Sequence, residues 1–169
     1  MSIVCADKIF SGRTGLEVNE NYQNHESVTL ATGATVTLAN NSITLLDYTG
    51  GAACAATLPA AELGAKVSVV LTKTVGAGTD TLSFDCAGSD VYETGCVVDS
   101  RSGTKVLPDT SQAGETLLTL TPTADNNNFA DKGTQFDFAC FKTGFWYVSV
   151  KAARNSDGTA QTGTLLFSA

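Results

Sequence analysis

Charge is what this chain has least of. Asp, Glu, Lys and Arg make up 16% of its 169 residues, against about 25% in an average globular chain. Thr, Ser, Asn and Gly must therefore cover much of the surface. Such a surface solubilises a free monomer poorly and suits one that neighbours partly cover. The ten Lys and Arg are scattered and the net charge is −7. With no basic stripe to neutralise phosphates, nucleic acid is not an expected partner. No apolar run approaches the roughly 20 residues of a membrane-spanning helix, so no membrane partner is expected. The opening MSIVCADKIF lacks a charged region followed by a sustained apolar one, and a signal peptide is not expected either.

Enzymatic equipment is equally sparse. The single histidine, His25, lies in the polar stretch NYQNHES without a nucleophile or orienting group at a telling spacing, and reads as a surface residue. Neither a GxSxG elbow nor a GxxxxGK[ST] loop occurs, and Gly76-Ala-Gly78 lacks the strand–GxGxxG–helix setting of a nucleotide site. The five cysteines, Cys5, Cys54, Cys86, Cys96 and Cys140, contain no CxxC and are odd in number, which suits neither a disulfide framework nor a zinc site. Cys54 and Cys140 sit among Ala and Phe, where cysteine behaves as a small hydrophobe. Cys86 and Cys96 flank one loop and could pair in an oxidising medium, but reduced, buried thiols are the expectation. Asp80, Asp85, Asp90, Glu93 and Asp99 cluster in one third of the chain, yet without a DxDxDG register they read as solvated turn carboxylates more than as calcium ligands. No enzyme, cofactor or metal is expected.

What is present is β pattern. Val28-Thr-Leu30, Val36-Thr-Leu38 and Ile43-Thr-Leu45 alternate apolar residues with threonine, the period-2 mark of half-buried strands. Asn40-Asn41 tolerates positive φ and predicts a tight hairpin between the last two. Pro59 to Gly64 is the one place that admits a helical turn or two. Lys66–Thr72 and Thr81–Cys86 form a candidate core hairpin around the glycines of 75–80. Phe136–Cys140 and Trp146–Val150 form a closing hairpin about Lys142-Thr-Gly144. Short strands are expected at Val91-Tyr92, Cys96–Val98, Lys105–Leu107, Thr116–Thr121 and Leu165–Phe167, and a polar loop at 123–133. Val67, Val69, Leu82 and Phe84 are expected to meet Phe136, Phe138, Trp146 and Val148 in the core. The fold class is all-β: an antiparallel β-sandwich or jelly-roll-like barrel with at most one or two short helical turns. No internal repeat is strong enough to argue a solenoid.

Residues 1–27 show no sustained period and read either as an N-terminal arm that lies on a neighbouring subunit or as a first strand and loop of the same domain, with 28–169 as the β-domain. Adjacent Trp146 and Tyr147 point to opposite faces of a strand. One belongs to the core. The other, with Tyr92 and Phe145, is a candidate for sugar stacking or partner binding, although core packing is expected for most of these rings.

Leu58-Pro59, Leu63-Gly64, Val67-Ser-Val-Val-Leu71, Thr81-Leu-Ser-Phe84 and Gly144-Phe-Trp-Tyr-Val148 together resemble a β-domain of tailed-phage virion proteins. In that domain an LP turn leads through glycine to an apolar strand, a G-x-D-T-L/I-x-F segment, a Gly-rich loop and a closing G-x-W-x-V strand. The resemblance covers about residues 45–151, and neither the Cys86–Cys96 loop nor the DNNNFADKG segment belongs to its pattern. It implies a non-enzymatic virion structural protein, made in the host cytoplasm and commonly a homotrimer. The small size and the lack of heptads or shaft repeats favour a head decoration (cement) protein, bound to the major capsid protein on the capsid exterior. On that reading Ile3, Val4, Ile9, Phe10 and Leu16 are the apolar anchors of the arm. The alternatives are a head-fibre or tail-fibre receptor- or glycan-binding domain that uses Tyr92 or Tyr147, or a free carbohydrate-binding module.

Overall fold

A computed structural model describes residues 10–11, 16–17, 24–31, 33–48, 53–72, 81–102, 105–122, 132–153 and 162–169. The protein is all-β, with no helix among the described residues. Two short strands, β1 (Phe10–Ser11) and β2 (Leu16–Glu17), pair antiparallel. The remaining thirteen form two sheets that share one core. These are β3 (Asn24–Leu30), β4 (Thr35–Thr37), β5 (Ser42–Tyr48), β6 (Cys54–Thr57), β7 (Lys66–Leu71), β8 (Leu82–Asp85), β9 (Val91–Tyr92), β10 (Val97–Ser102), β11 (Lys105–Thr110), β12 (Leu117–Pro122), β13 (Gln135–Lys142), β14 (Phe145–Lys151) and β15 (Thr162–Ser168). One sheet runs β11-β10-β15-β12-β8-β6-β4 and the other β3-β5-β7-β13-β14-β9.

The sheets meet face to face as a sandwich. Phe84 of β8 lies 4.6 Å from Phe136 and 5.1 Å from Phe138 of β13, ring centre to ring centre. Val67, Val69, Leu82, Phe84, Phe136, Phe138, Trp146 and Val148 are all buried together, as expected. A single buried ring of this size contributes about 3–5 kcal/mol against truncation to alanine. This contact therefore fixes how the two sheets face each other.

The pairing departs from a purely antiparallel sandwich. From β3 to β8 the chain alternates between the sheets, and each strand lies parallel to the one two before it: β3 beside β5 beside β7, and β4 beside β6 beside β8. Parallel neighbours need a crossover connection, and here the strand in the opposite sheet supplies it. The result is three coils of a flattened parallel winding. One coil advances from Asn24 to Ser42 and the next from Ser42 to Val67. The unequal coils explain why no sequence period betrays the winding. Antiparallel strands complete the sandwich: β12 against β8 and β15, and β13 against β7 and β14.

Two expected hairpins are thereby corrected. β7 and β8 lie in opposite sheets and face each other across the core. Asn40-Asn41 turns the chain from one sheet to the other: Asn41 takes φ +53°, and the Asn40 side chain accepts the amide hydrogens of Asn41 and Lys66. The phase of β5 is also the reverse of the simple alternation. Ser42, Thr44 and Leu46 point inward and are almost fully buried, while Leu45 is 39% exposed. Ser42 tolerates burial because its hydroxyl donates to the Ala39 carbonyl at 2.6 Å.

The Pro59–Gly64 segment is a turn without helix. Leu58, Ala61 and Ala65 are buried, and the Ala61 amide donates to the Asp90 carboxylate at 2.7 Å. These anchors hold the backbone more firmly than the weak helical preference of four residues. The closing hairpin β13–β14 forms as expected, with Gly144 at φ +84°, a region that other residues adopt only with strain.

Candidate interaction surfaces

Three regions carry the residues singled out above. Ile3, Val4 and Ile9 lie outside the described residues. For Phe10 and Leu16 the backbone places them on β1 and β2, in register with Glu17 and Ser11 respectively. Cys5 and residues 73–80, 123–131 and 154–161, Asp80 among them, also lie outside the described residues.

Tyr92 is not a surface residue, and this corrects its proposed role in stacking. It is fully buried, edge-on to Phe167 at 5.2 Å, and its hydroxyl donates to the Phe84 carbonyl at 2.9 Å. The reason is its position on the two-residue strand β9, which pairs parallel to β14 and turns Tyr92 toward the core beside Trp146. Burial, followed by the neighbouring Cys86, Asp85 and Cys96, holds its phenol well above the ordinary range. Its role is to join the two sheets.

Tyr147 does reach the surface. Its ring lies 5.2 Å from that of Phe141 in an edge-to-face arrangement, and Phe141 itself is 66% exposed. Loss of solvent and then the adjacent Glu93 carboxylate, which hydrogen-bonds the phenol, raise the Tyr147 pKa. Beside them Lys142 Nζ sits 3.6 Å from the centre of the Phe145 ring and 4.0 Å from Glu93. Leu63, 72% exposed, stands on the adjoining turn, where the Gly64 amide donates to the Cys140 carbonyl. The alternation of β13 turns Cys140 inward and Phe141 outward, beside Tyr147 of β14. A register shift between Ala139 and Lys142 then leaves Lys142 exposed as well, opposite Phe145. Phe141 and Leu63 were not among the expected site residues. Their signal was the run Phe-Ala-Cys-Phe-Lys at 138–142, whose second Phe breaks the period of the first.

Glu93 is held by Ser111. The buried Ser111 hydroxyl donates to the Glu93 carbonyl at 2.6 Å and accepts the Cys96 amide hydrogen at 2.9 Å. A second side-chain splice lies nearby: the Ser100 hydroxyl accepts the Leu165 amide hydrogen at 2.7 Å and donates to the Leu165 carbonyl. Asp109 accepts the amide hydrogen of Phe167 at 2.7 Å. These side chains join β10 and β11 to β15 where the backbone ladder is limited to two residue pairs.

The outer face of the seven-stranded sheet is the third region. Across β12, β8, β6 and β4 one row runs Leu117, Asp85, Thr57, Thr37 and the next Thr119, Ser83, Ala55, Thr35. Leu166 of β15 lies beside Thr119 and is 48% exposed. Asp85 is the one charge in these rows.

No family model, no curated protein and no solved structure matches this chain.

The remaining candidates do not assemble into a chemical centre. His25 is exposed on β3. Asp90 serves the Ala61 turn, Asp99 is exposed on β10, and no three His, Cys, Asp or Glu gather about a common point among the described residues. Cys86 and Cys96 are free thiols, as is buried Cys140, and the buried Cys54 thiol donates to the Ala31 carbonyl. Burial, then the carboxylates of Asp90 and Asp85, push the Cys86 thiol up to about 12. A thiol held so far from ionisation is a poor nucleophile at neutral pH.

Proposed function

We propose that this chain is a non-enzymatic structural protein of a tailed-phage particle, a homotrimeric decoration (cement) protein that binds the major capsid protein on the outside of the head. The observation that carries this reading is the charge-poor outer surface of β12, β8, β6 and β4, whose two rows hold Asp85 as their one charge, a surface suited to being covered by other protein. The resemblance supports it. Its motif residues lie on the scaffold: Pro59 in the anchored turn, Gly64 at φ +87°, the buried face of β7, Phe84 of β8, and Gly144 leading into Trp146. The mechanism is mass action. A protein that bridges adjacent capsid subunits binds the assembled shell and not its dissociated parts, stabilising each site by about 2.7 kcal/mol at a hundredfold excess over Kd.

The test is addition of the purified protein to expanded heads that lack it. Saturable co-sedimentation and a higher temperature of head disruption are expected. Failure to co-sediment, or a copy number matching fibres instead of capsid subunits, overturns the reading.

The aromatic patch favours a second reading, a glycan-binding fibre domain. Exposed Phe141 and half-buried Tyr147 offer ring surface, and Glu93 and Lys142 offer polar partners at the rim. Binding to host cells or isolated glycans that is lost in Phe141→Ser, with no affinity for heads, supports it over the first.

A further inference from the structure

We propose that the short ribbon β1–β2 is the cap of the parallel winding, laid over the open end that the first coil leaves. The inference stands on the winding itself and goes beyond the reading above. Two stacks of core residues show the open end. Val28, Leu46 and Leu71 lie in register through β3, β5 and β7, and Leu46 and Leu71 are buried while Val28 is half-buried. Val36, Ala56 and Phe84 lie in register through β4, β6 and β8, and again the first-coil residue, Val36, is half-buried while the other two are buried. β12 and β13 cover the third coil. Among the described residues no strand pairs with the first coil on its outer side, where β3 and β4 are the edges of their sheets. Stacked windings need a capping unit at such an end, and natural sheet edges are commonly covered.

Chain connectivity singles out the occupant. β1–β2 is a sheet of its own, and a lone two-stranded ribbon is marginally stable in water. It carries Phe10 and Leu16, a large apolar residue on each strand. Residues 18–23 join it directly to β3, a tether that reaches roughly 20 Å. So short a tether sets a millimolar effective concentration, about a thousandfold above a second copy at micromolar concentration. An outside partner reaches this end only by displacing the ribbon. The assignment places β1 and β2 on their own domain and not on a neighbouring subunit.

The experiment is native hydrogen exchange of the full chain, read by mass spectrometry on peptides that span β3, β4, β13 and β14. Two altered proteins are compared with the wild type. Phe10→Ser combined with Leu16→Ser removes the large apolar side chains of the ribbon and leaves both large sheets untouched, which the fluorescence of Trp146 checks. The second protein carries about 30 glycine and serine residues inserted within the tether, enough to lower the effective concentration about tenfold. In the double variant β3 and β4 are expected to exchange at least about tenfold faster, with β13 and β14 at the wild-type rate. The longer tether is expected to speed β3 and β4 by about tenfold as well. Unchanged exchange of β3 and β4 in either protein overturns the proposal. If the protection survives the longer tether but fades when the wild type is diluted, a second copy is the occupant. Should the double variant fail to fold, the lengthened tether, which substitutes no residue, decides alone.

Discussion

Replacing Ser111 with alanine removes one oxygen atom and loosens the turn that presents Glu93 to the aromatic patch. The Ser111 hydroxyl is fully buried and serves two backbone groups, the Glu93 carbonyl at 2.6 Å and the Cys96 amide hydrogen at 2.9 Å. Alanine fits the space, so no clash arises and little cavity forms. The cost is that of two buried backbone groups losing a partner. Each such loss costs about 1–3 kcal/mol. Some is recovered, because the Cys96 amide also lies 3.4 Å from the Glu93 carbonyl. The expected net loss is about 2–3 kcal/mol, which for a domain of this size lowers Tm by roughly 4–12 °C. Urea unfolding followed by the fluorescence of the single Trp146 measures it. Native-state hydrogen exchange adds a local reading: the Cys96 amide should exchange faster by more than the global loss of stability explains. A Ser111→Ala protein within about 0.5 kcal/mol of wild type, the range of ordinary surface substitutions, refutes the assignment of Ser111 as the pin of this turn.

Two further outcomes follow from the titrating groups. Cys86, with its thiol pushed up to about 12 by burial and by Asp90 and Asp85, should react with iodoacetamide at pH 8 at least about a hundredfold more slowly than an unstructured cysteine, as read by mass spectrometry of the native protein. For Asp137, burial raises the pKa, but hydrogen bonds from Ser68, Gln135 and Lys151 outweigh it and the folded value is lowered. A depressed carboxylate contributes stability above its unfolded pKa near 3.9 and loses it as pH falls through the folded value. Asp137→Asn should therefore be less stable than wild type at pH 6, and the gap should close below pH 4 in urea titrations. A constant gap across that range contradicts the linkage.

The strands were legible in the sequence and their arrangement was not. Alternation in β7, β8, β13 and β14 identified the core partners, because Val67, Phe84, Phe136 and Trp146 each sit on a clean period of two. A period marks a face, however, and does not say which sheet a strand joins. Asn40-Asn41 has the chemistry of a hairpin turn and of a sheet-to-sheet corner alike. What decides is the burial of Leu38 and Leu46 in one core from opposite sides. Tyr92 failed as a surface candidate for a similar reason. Two residues of strand carry no alternation to read, and only the pairing of β9 with β14 turns that ring inward.

The two candidate surfaces differ in how the chain produces them. The aromatic patch arises from the alternation of one strand, which turns Phe141 outward beside buried Cys140, so a single aromatic residue on the outward phase announces it. The charge-poor face arises from stacking. Thr35, Ala55 and Ser83 come from three successive coils and Thr119 from a later antiparallel strand, and they become neighbours only through the parallel register of β4, β6 and β8. None of those segments is unusual alone, and only the winding aligns their outward positions into rows. A strand slipped by one residue would exchange buried and exposed sets, carrying Leu82 and Phe84 outward. The core contact of Phe84 with Phe136 and Phe138 thus sets the composition of the outer face as firmly as it holds the sheets together.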